Sequence, residues 1–326
     1  MARPCACANG AAPLLPDGGR HGSCDGAIPC PGRSHRISSS QPRKFLVTYS
    51  TLLLHLDDDT RAGIRLDQAT SLARRFDSRL IGLSCHRPAP WVGVAGSEFM
   101  GADPLTHELA LAARAAASRE AAFLRHCDVQ ELASFEVATS DDEPSRAIGE
   151  RGRCADLILL GQADPDTADH ARHRDIVDRV MEQTAAPVLV LPYAGRFATL
   201  GETVLIAWSG SRETARAVAD AIPFLQQARA VHLVTFDRAI GEGGSIDASR
   251  LDLVTRWLAT HGVQARASVA FTRTDIGNAL LSHAADVGAD LMVMGAWSHS
   301  RLVERVLGGA TRTVLDSMTV PVLMSH

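Results

Sequence analysis

Asp290-Leu291-Met292-Val293-Met294-Gly295-Ala296-Trp297-Ser298-His299, and then, with nine residues separating Ser298 from its first glycine, Gly308-Gly309-Ala310-Thr311-Arg312, is the stretch that decides the fold. Leu291 to Met294 is an unbroken apolar run, as expected of a parallel strand buried on both faces. Thr313-Val314-Leu315-Asp316-Ser317-Met318 follows as a helix. A glycine-bearing loop therefore leaves a strand and feeds a helix. In an open α/β sheet, ligands sit at the carboxyl ends of strands, and the first amides of a helix are unpaired donors at the positive end of its dipole. Gly308 and Gly309 let an anion approach those amides closely. A glycine pair also serves as a plain turn, and the stretch alone does not choose between the two.

Working outward, 326 residues suffice for two cores. A formal net charge of -4 gives no electrostatic reason to expect nucleic acid or an anionic membrane as partner. No apolar run approaches a bilayer span, and the first thirty residues lack the apolar core of a secretory signal, so a cytoplasmic protein is expected. Seven cysteines, an odd number unevenly spread, fit a reducing compartment. Residues 1–42 differ from the rest: Cys5, Cys7, Cys24 and Cys30 lie among glycines and prolines with little to bury, so a disordered tail is expected. Its cysteine spacings lack the paired pattern of ordinary zinc modules.

From Lys44 onward strand and helix alternate. Strands are expected at Lys44–Tyr49, Arg79–His86, Ser134–Ala138, Asp156–Leu160 and Pro187–Leu191. Helices are expected over about 58–76, 105–127, 145–152 and 176–184, with a long loop over 87–104. The acidic run Asp57-Asp58-Asp59 reads as helix-start charge rather than as a metal site. Tyr193–Gly201 reads as a linker. Strands then return at Thr203–Trp208, Ala230–Phe236, Gln264–Phe271 and Val320–Met324, with helices at Arg212–Gln226, kinked by Pro223, at Asp247–His261, and at Asp275–Val287 behind Thr274 as N-cap. The order β-α repeated predicts parallel sheets covered on both faces.

The two halves repeat one another. Asp156, Gly161 and Pro187 match Asp290, Gly295 and Pro321, each pair 134 positions apart. Tyr49-Ser50 against Trp208-Ser209 gives a first-strand offset of 159, which puts about 25 additional residues in the first half.

With these residues the chain resembles a tandem universal stress protein. The signature of that family is Gly-x2-Gly-x9-Gly-[Ser/Thr] after the fourth strand, and here Gly295-x2-Ser298-x9-Gly308-Gly309 keeps the spacing with two positions changed. The resemblance covers Lys44 to His326. It implies two tandem doubly wound α/β domains, 43–193 and 202–326, each a five-stranded parallel sheet of order 3-2-1-4-5. It also implies association through the last strands, so that the halves form an internal pseudo-dimer, with homo-oligomers open as well.

Some family members bind ATP and others do not. In binding members an acid at the end of the first strand faces the nucleoside, a place that falls on Ser209 and, by the offset above, on Ser50. The end of the second strand meets adenine, pointing to Thr235. The loop and helix start hold ribose and phosphates, pointing to Gly295, Ser298, Gly308, Gly309 and Ala310. The first half carries Arg174 and Asp175 at the places of Gly308 and Gly309, within a basic segment read as an exposed loop whose His170 and His173 are not taken for metal ligands. Ser209-Gly210-Ser211 is also similar to the pyrophosphate loop of ATP pyrophosphatases but lacks its second glycine and aspartate. The resulting expectation is a cytoplasmic stress-response module that takes ATP or another adenine nucleotide in its second half, with no catalytic or metal residues assigned. The alternatives are a nucleotide-free interaction protein and a slow ATP hydrolase.

Overall fold

The computed structural model describes residues 48–59, 61–86, 103–167, 170–238, 248–296 and 309–326. The tail expected over residues 1–42, nearly all of the loop over 87–104, and the site positions Ser298 and Gly308 lie outside the described residues. Residues 45–326 form one compact unit.

Leucine-rich runs lay down the first half of the sheet. Strand β1 is Thr51–Leu56, β2 Arg79–Cys85, β3 Phe135–Ser140, β4 Leu157–Gly161 and β5 Val188–Leu191. The helices between them are α1 Ala62–Phe76, α2 Asp103–Val129, α3 Pro144–Gly152 and α4 His170–Gln183. The second half comprises β6 Thr203–Ala207, β7 Ala230–Arg238, β8 Ala265–Thr272, β9 Leu291–Gly295 and β10 Val322–Ser325. Its helices are α5 Arg212–Asp220, α6 Ile222–Leu225, α7 Ala248–Thr260, α8 Ile276–Asp286 and α9 Gly309–Ser317.

All ten strands join in one sheet of order β3-β2-β1-β4-β5-β10-β9-β6-β7-β8, so each half has the order 3-2-1-4-5 counted from its own first strand. Every neighbouring pair is parallel except β5 with β10. Alternate residues of the central strands enter two apolar layers: Leu52, Leu54, Leu157 and Leu159 on one face, Leu53, Ile158 and Leu160 on the other. Both layers run through from one half into the other. Among the described residues, no helix is long and apolar enough to cross a membrane.

The first strand lies later in the chain than the sequence suggests. Of the expected Lys44–Tyr49 strand, only Thr48 and Tyr49 are described, and neither belongs to a strand. The carboxylate of Asp156 accepts the N–H groups of Ser50 and Thr51, both at 2.8 Å, which fixes the start of β1 beside the start of β4. Leu52 to Leu54 then pair with Leu157 to Leu159 and bury leucine on both faces. Asp290 does the same for β6 by accepting from Gly201, Glu202 and Thr203. Leu52 faces Leu157 as Val204 faces Leu291, so the first strands are 152 positions apart, not 159. The counterpart of Ser209 is therefore Asp57, and not Ser50.

Other boundaries also move. The helix expected over Arg212–Gln226 breaks at Ala221 into α5 and α6, as Pro223 requires. Asp275, not Thr274, caps α8, its carboxylate accepting Asn278 N–H at 3.2 Å. Helix α9 begins at Gly309 and α4 at His170, each earlier than its apolar periodicity shows.

At the seam, Val190, Leu189 and Val188 pair with Val322, Leu323 and Met324. Leu189 and Leu323 are themselves 134 positions apart, so a pseudo-two-fold axis passes between them. Tyr49 and Phe76 of the first half pack on Phe224 of the second, with centroids 5.5 and 5.1 Å apart, and the Tyr49 hydroxyl donates to Asp220 O at 2.6 Å. Strands β5 and β10 are fully buried only against each other and would be bare sheet edges apart. Fragments 43–193 and 202–326 produced separately are expected to associate with each other or with themselves, and two stable monomers in sedimentation would contradict this.

Candidate functional site

The carboxyl ends of β6, β7 and β9 carry the predicted residues of the second half. Ser209 follows β6, and its hydroxyl shares a hydrogen bond with that of Thr214 at 2.6 Å. Ser211 caps α5 and accepts Thr214 N–H at 3.2 Å, in a turn that places Gly210 at φ +74°. Gly295 ends β9 directly under that first turn: a Cβ there would lie 2.5 Å from Thr214 N and 2.7 Å from Glu213 C. Gly295 thus brings the positive end of α5 down onto the sheet. Ser209 and Gly295 meet at Thr214. Glu213 is buried beside them, its carboxylate taking the Nε of the exposed Arg212 at 2.6 Å.

Thr235 stands on β7, across β6 from Gly295, one residue beyond the last β6–β7 pair, Ala207 with Val234. Gly309 is exposed and Ala310 half-buried at the start of α9. These two lie against the start of α8: a Cβ on Gly277 would be 2.9 Å from Ala310 O, and one on Gly309 3.9 Å from an Asp275 carboxylate oxygen. An anion at the head of α9 would share that place with Asp275.

The corresponding edge of the first half is filled from within. Arg65 of α1 is only 3% exposed, and its guanidinium forms ion pairs with Asp57 and, at 2.7 Å, with Asp59. A Cβ on Gly161 would meet that guanidinium at 2.7 Å. Arg65 therefore lies over the end of β4 where the first turn of α5 lies over β9. The acid run that reads as helix-start charge serves instead to hold this arginine. His55 beside it is held neutral, its pKa lowered to about 4 by burial, against the opposing pull of Asp57. Asp58 pairs with Arg119 of α2.

The segment expected to be an exposed loop is also different. His170 and His173 belong to α4, and they line separate clefts, His170 with Arg312 near the seam and His173 with His55 and Asp57. Arg174 and Asp175 fall inside the same helix, so no helix begins at the place equivalent to Gly309. Among the described residues, no three His, Cys, Asp or Glu side chains gather as metal ligands would. An offset of 159 sets Ser50 opposite Ser209, so Asp57 reads only as helix-start charge and Arg65 carries no signal of its own. An arginine two turns after an acidic run was the signal that could have found them.

Residues 202–326 match the Universal stress protein family. The universal stress protein of Archaeoglobus fulgidus DSM 4304 has a similar fold (TM-score 0.62, 14% identity), covering 84% of this chain and 97% of its own. A putative universal stress protein of Pseudomonas aeruginosa UCBPP-PA14 is similar over 85% of this chain and 93% of its own, with a TM-score of 0.54 and 18% identity. A universal stress protein solved in complex with cAMP matches 45% of this chain and all of its own, with a TM-score of 0.30 and 17% identity. No curated protein matches the chain.

Proposed function

We propose that the chain is a tandem universal stress protein, with domains over 43–193 and 202–326, that binds an adenine nucleotide in its second domain and acts in the stress response of the cytoplasm. The observation that carries this reading is the asymmetry of two equivalent helices. Helix α9 carries the exposed Gly309 beside the strand ends, whereas α4 has Arg174 and the carboxylate of Asp175 at the matching place. A bare glycine amide lets a phosphate approach, and a carboxylate at the same place repels one. Ser209, Thr235, Gly295, Ser298, Gly308, Gly309 and Ala310 are the residues assigned to the nucleotide, as ATP or a relative.

A nucleotide-free interaction protein is the second reading. It is favoured by the Ser209 hydroxyl being bonded to Thr214 and by the Asp275 carboxylate beside Gly309. Native mass spectrometry of freshly purified protein separates the two readings: retained nucleotide supports the first, and release of ADP over hours would add hydrolysis. Titration calorimetry with ATP tests the site. One nucleotide per chain is expected, and Gly309→Asp should weaken binding by at least about tenfold, since it sets a carboxylate at the favourable end of the helix dipole. Asp175→Glu should leave it unchanged. Two nucleotides per chain, or full affinity in Gly309→Asp, would place the site elsewhere.

A further inference from the structure

The seam carries a cleft between α4 of the first half and α9 of the second, lined by His170, Arg174, Asp178, Arg312, Leu315 and Asp316, with Gln162 at one side. Both arginines lean toward one acid: Arg174 lies 3.7 Å and Arg312 3.8 Å from Asp316. Asp178 sits four residues after Arg174 on the same helix, the spacing at which such side chains meet. Among the described residues it nonetheless has no ion pair within reach. The backbone on both sides is held independently of these charges, by Gln162 Nε2 donating to Leu315 O at 2.8 Å across the seam.

We propose that Asp178 is a proton-operated switch for the ion pair joining the two halves: neutral Asp178 leaves Arg174 on Asp316 of α9, and ionised Asp178 draws Arg174 back to its own helix. Arg174 belongs to α4 and reaches across to Asp316, so the choice between the two acids is a choice between binding within a half and binding between halves. Burial pushes the Asp178 carboxyl up to about 6, against the pull of Arg174 and Arg312 and with that of Asp175 and Glu182. From α9 it faces Arg312 and Asp316, and His170 lines the same cleft. Helix α3 also packs on α4, and its Glu143 cap acts on Arg179. Because the folded pKa lies above the ordinary value, this group favours the fold at low pH and ceases to do so as pH rises through about 6.

Carbon-detected NMR titration of the Asp178 carboxyl in the full chain tests it. The midpoint should fall between pH 5 and 7 in the wild type. Asp316→Asn frees Arg174 and should lower that midpoint by at least about half a unit, and in an Arg174→Gln background the same substitution should lower it by less than half as much. Asp178→Asn supplies a second reading: its thermal midpoint minus that of the wild type should grow by about 2–4 °C from pH 5 to pH 7.5. A wild-type midpoint below 5, an equal Asp316→Asn shift with and without Arg174, or a thermal difference that does not change with pH would overturn the switch.

Discussion

Arg65→Met is expected to destabilise the protein by about 3–5 kcal/mol, the range for breaking a buried ion pair from one side, and to lower its thermal midpoint by about 10 °C. The expectation rests on what would remain. The Asp57 and Asp59 side chains are only 13% and 8% exposed, and both direct an oxygen at the guanidinium. Without it, two largely buried carboxylates lose the cation they share, beside a neutral histidine. Adding Asp57→Asn and Asp59→Asn to Arg65→Met should recover most of the loss, because the penalty comes from uncompensated charge rather than from missing attraction. Thermal unfolding of the single and triple variants checks this. Equal midpoints for wild type and Arg65→Met would show that the cluster is more solvated than its burial implies.

Phe224→Ala should cost about 3–5 kcal/mol, as expected for truncating a fully buried aromatic side chain. Phe224 belongs to the second half, but its ring is wedged against Tyr49 and Phe76 of the first, with the Arg75 guanidinium 5.5 Å from its centre. Gly201, at φ +80°, has no Cβ because one would lie 2.8 Å from that ring. The loss should appear in both halves together. Since both apolar layers cross the seam, chemical denaturation of the variant should remain one transition at lower denaturant, whether followed by circular dichroism or by exchange of β1 and β6 amides. Two separated transitions would mean that the halves fold independently.

The alternation of strand and helix and the buried runs of β4, β5, β9 and β10 were legible in the sequence, each from a local apolar pattern or from matched pairs such as Asp156 with Asp290. The order 3-2-1-4-5 came only through the family resemblance carried by Gly295-x2-Ser298-x9-Gly308. The position of β1 was not legible. Two adjacent apolar runs competed for it, and the contact that chooses between them, Asp156 with the amides of Ser50 and Thr51, joins residues more than a hundred positions apart. That single shift hid the site-like cluster of the first half, because it set Ser50 where Asp57 belongs. The start of α4 was missed for a different reason. His170, Arg172, His173 and Arg174 are polar, so the apolar periodicity begins only at Ile176, while the backbone hydrogen bonding of the helix begins earlier. In the second half Gly295 is expected, by resemblance, to hold ribose or phosphate, but what lies against it is the first turn of α5.

The antiparallel seam makes the strands of the two halves point in opposite directions, so their carboxyl ends open on opposite rims of the sheet. Helix α9 runs between those rims. Its head, Gly309, stands at the rim of the second half, and its tail, at Leu315 and Asp316, touches Gln162 and Arg174 at the rim of the first. Nine residues of helix span about 13 Å as one stiff rod. A rod that does not bend carries a displacement along its length instead of absorbing it, so the two rims share one stiff part.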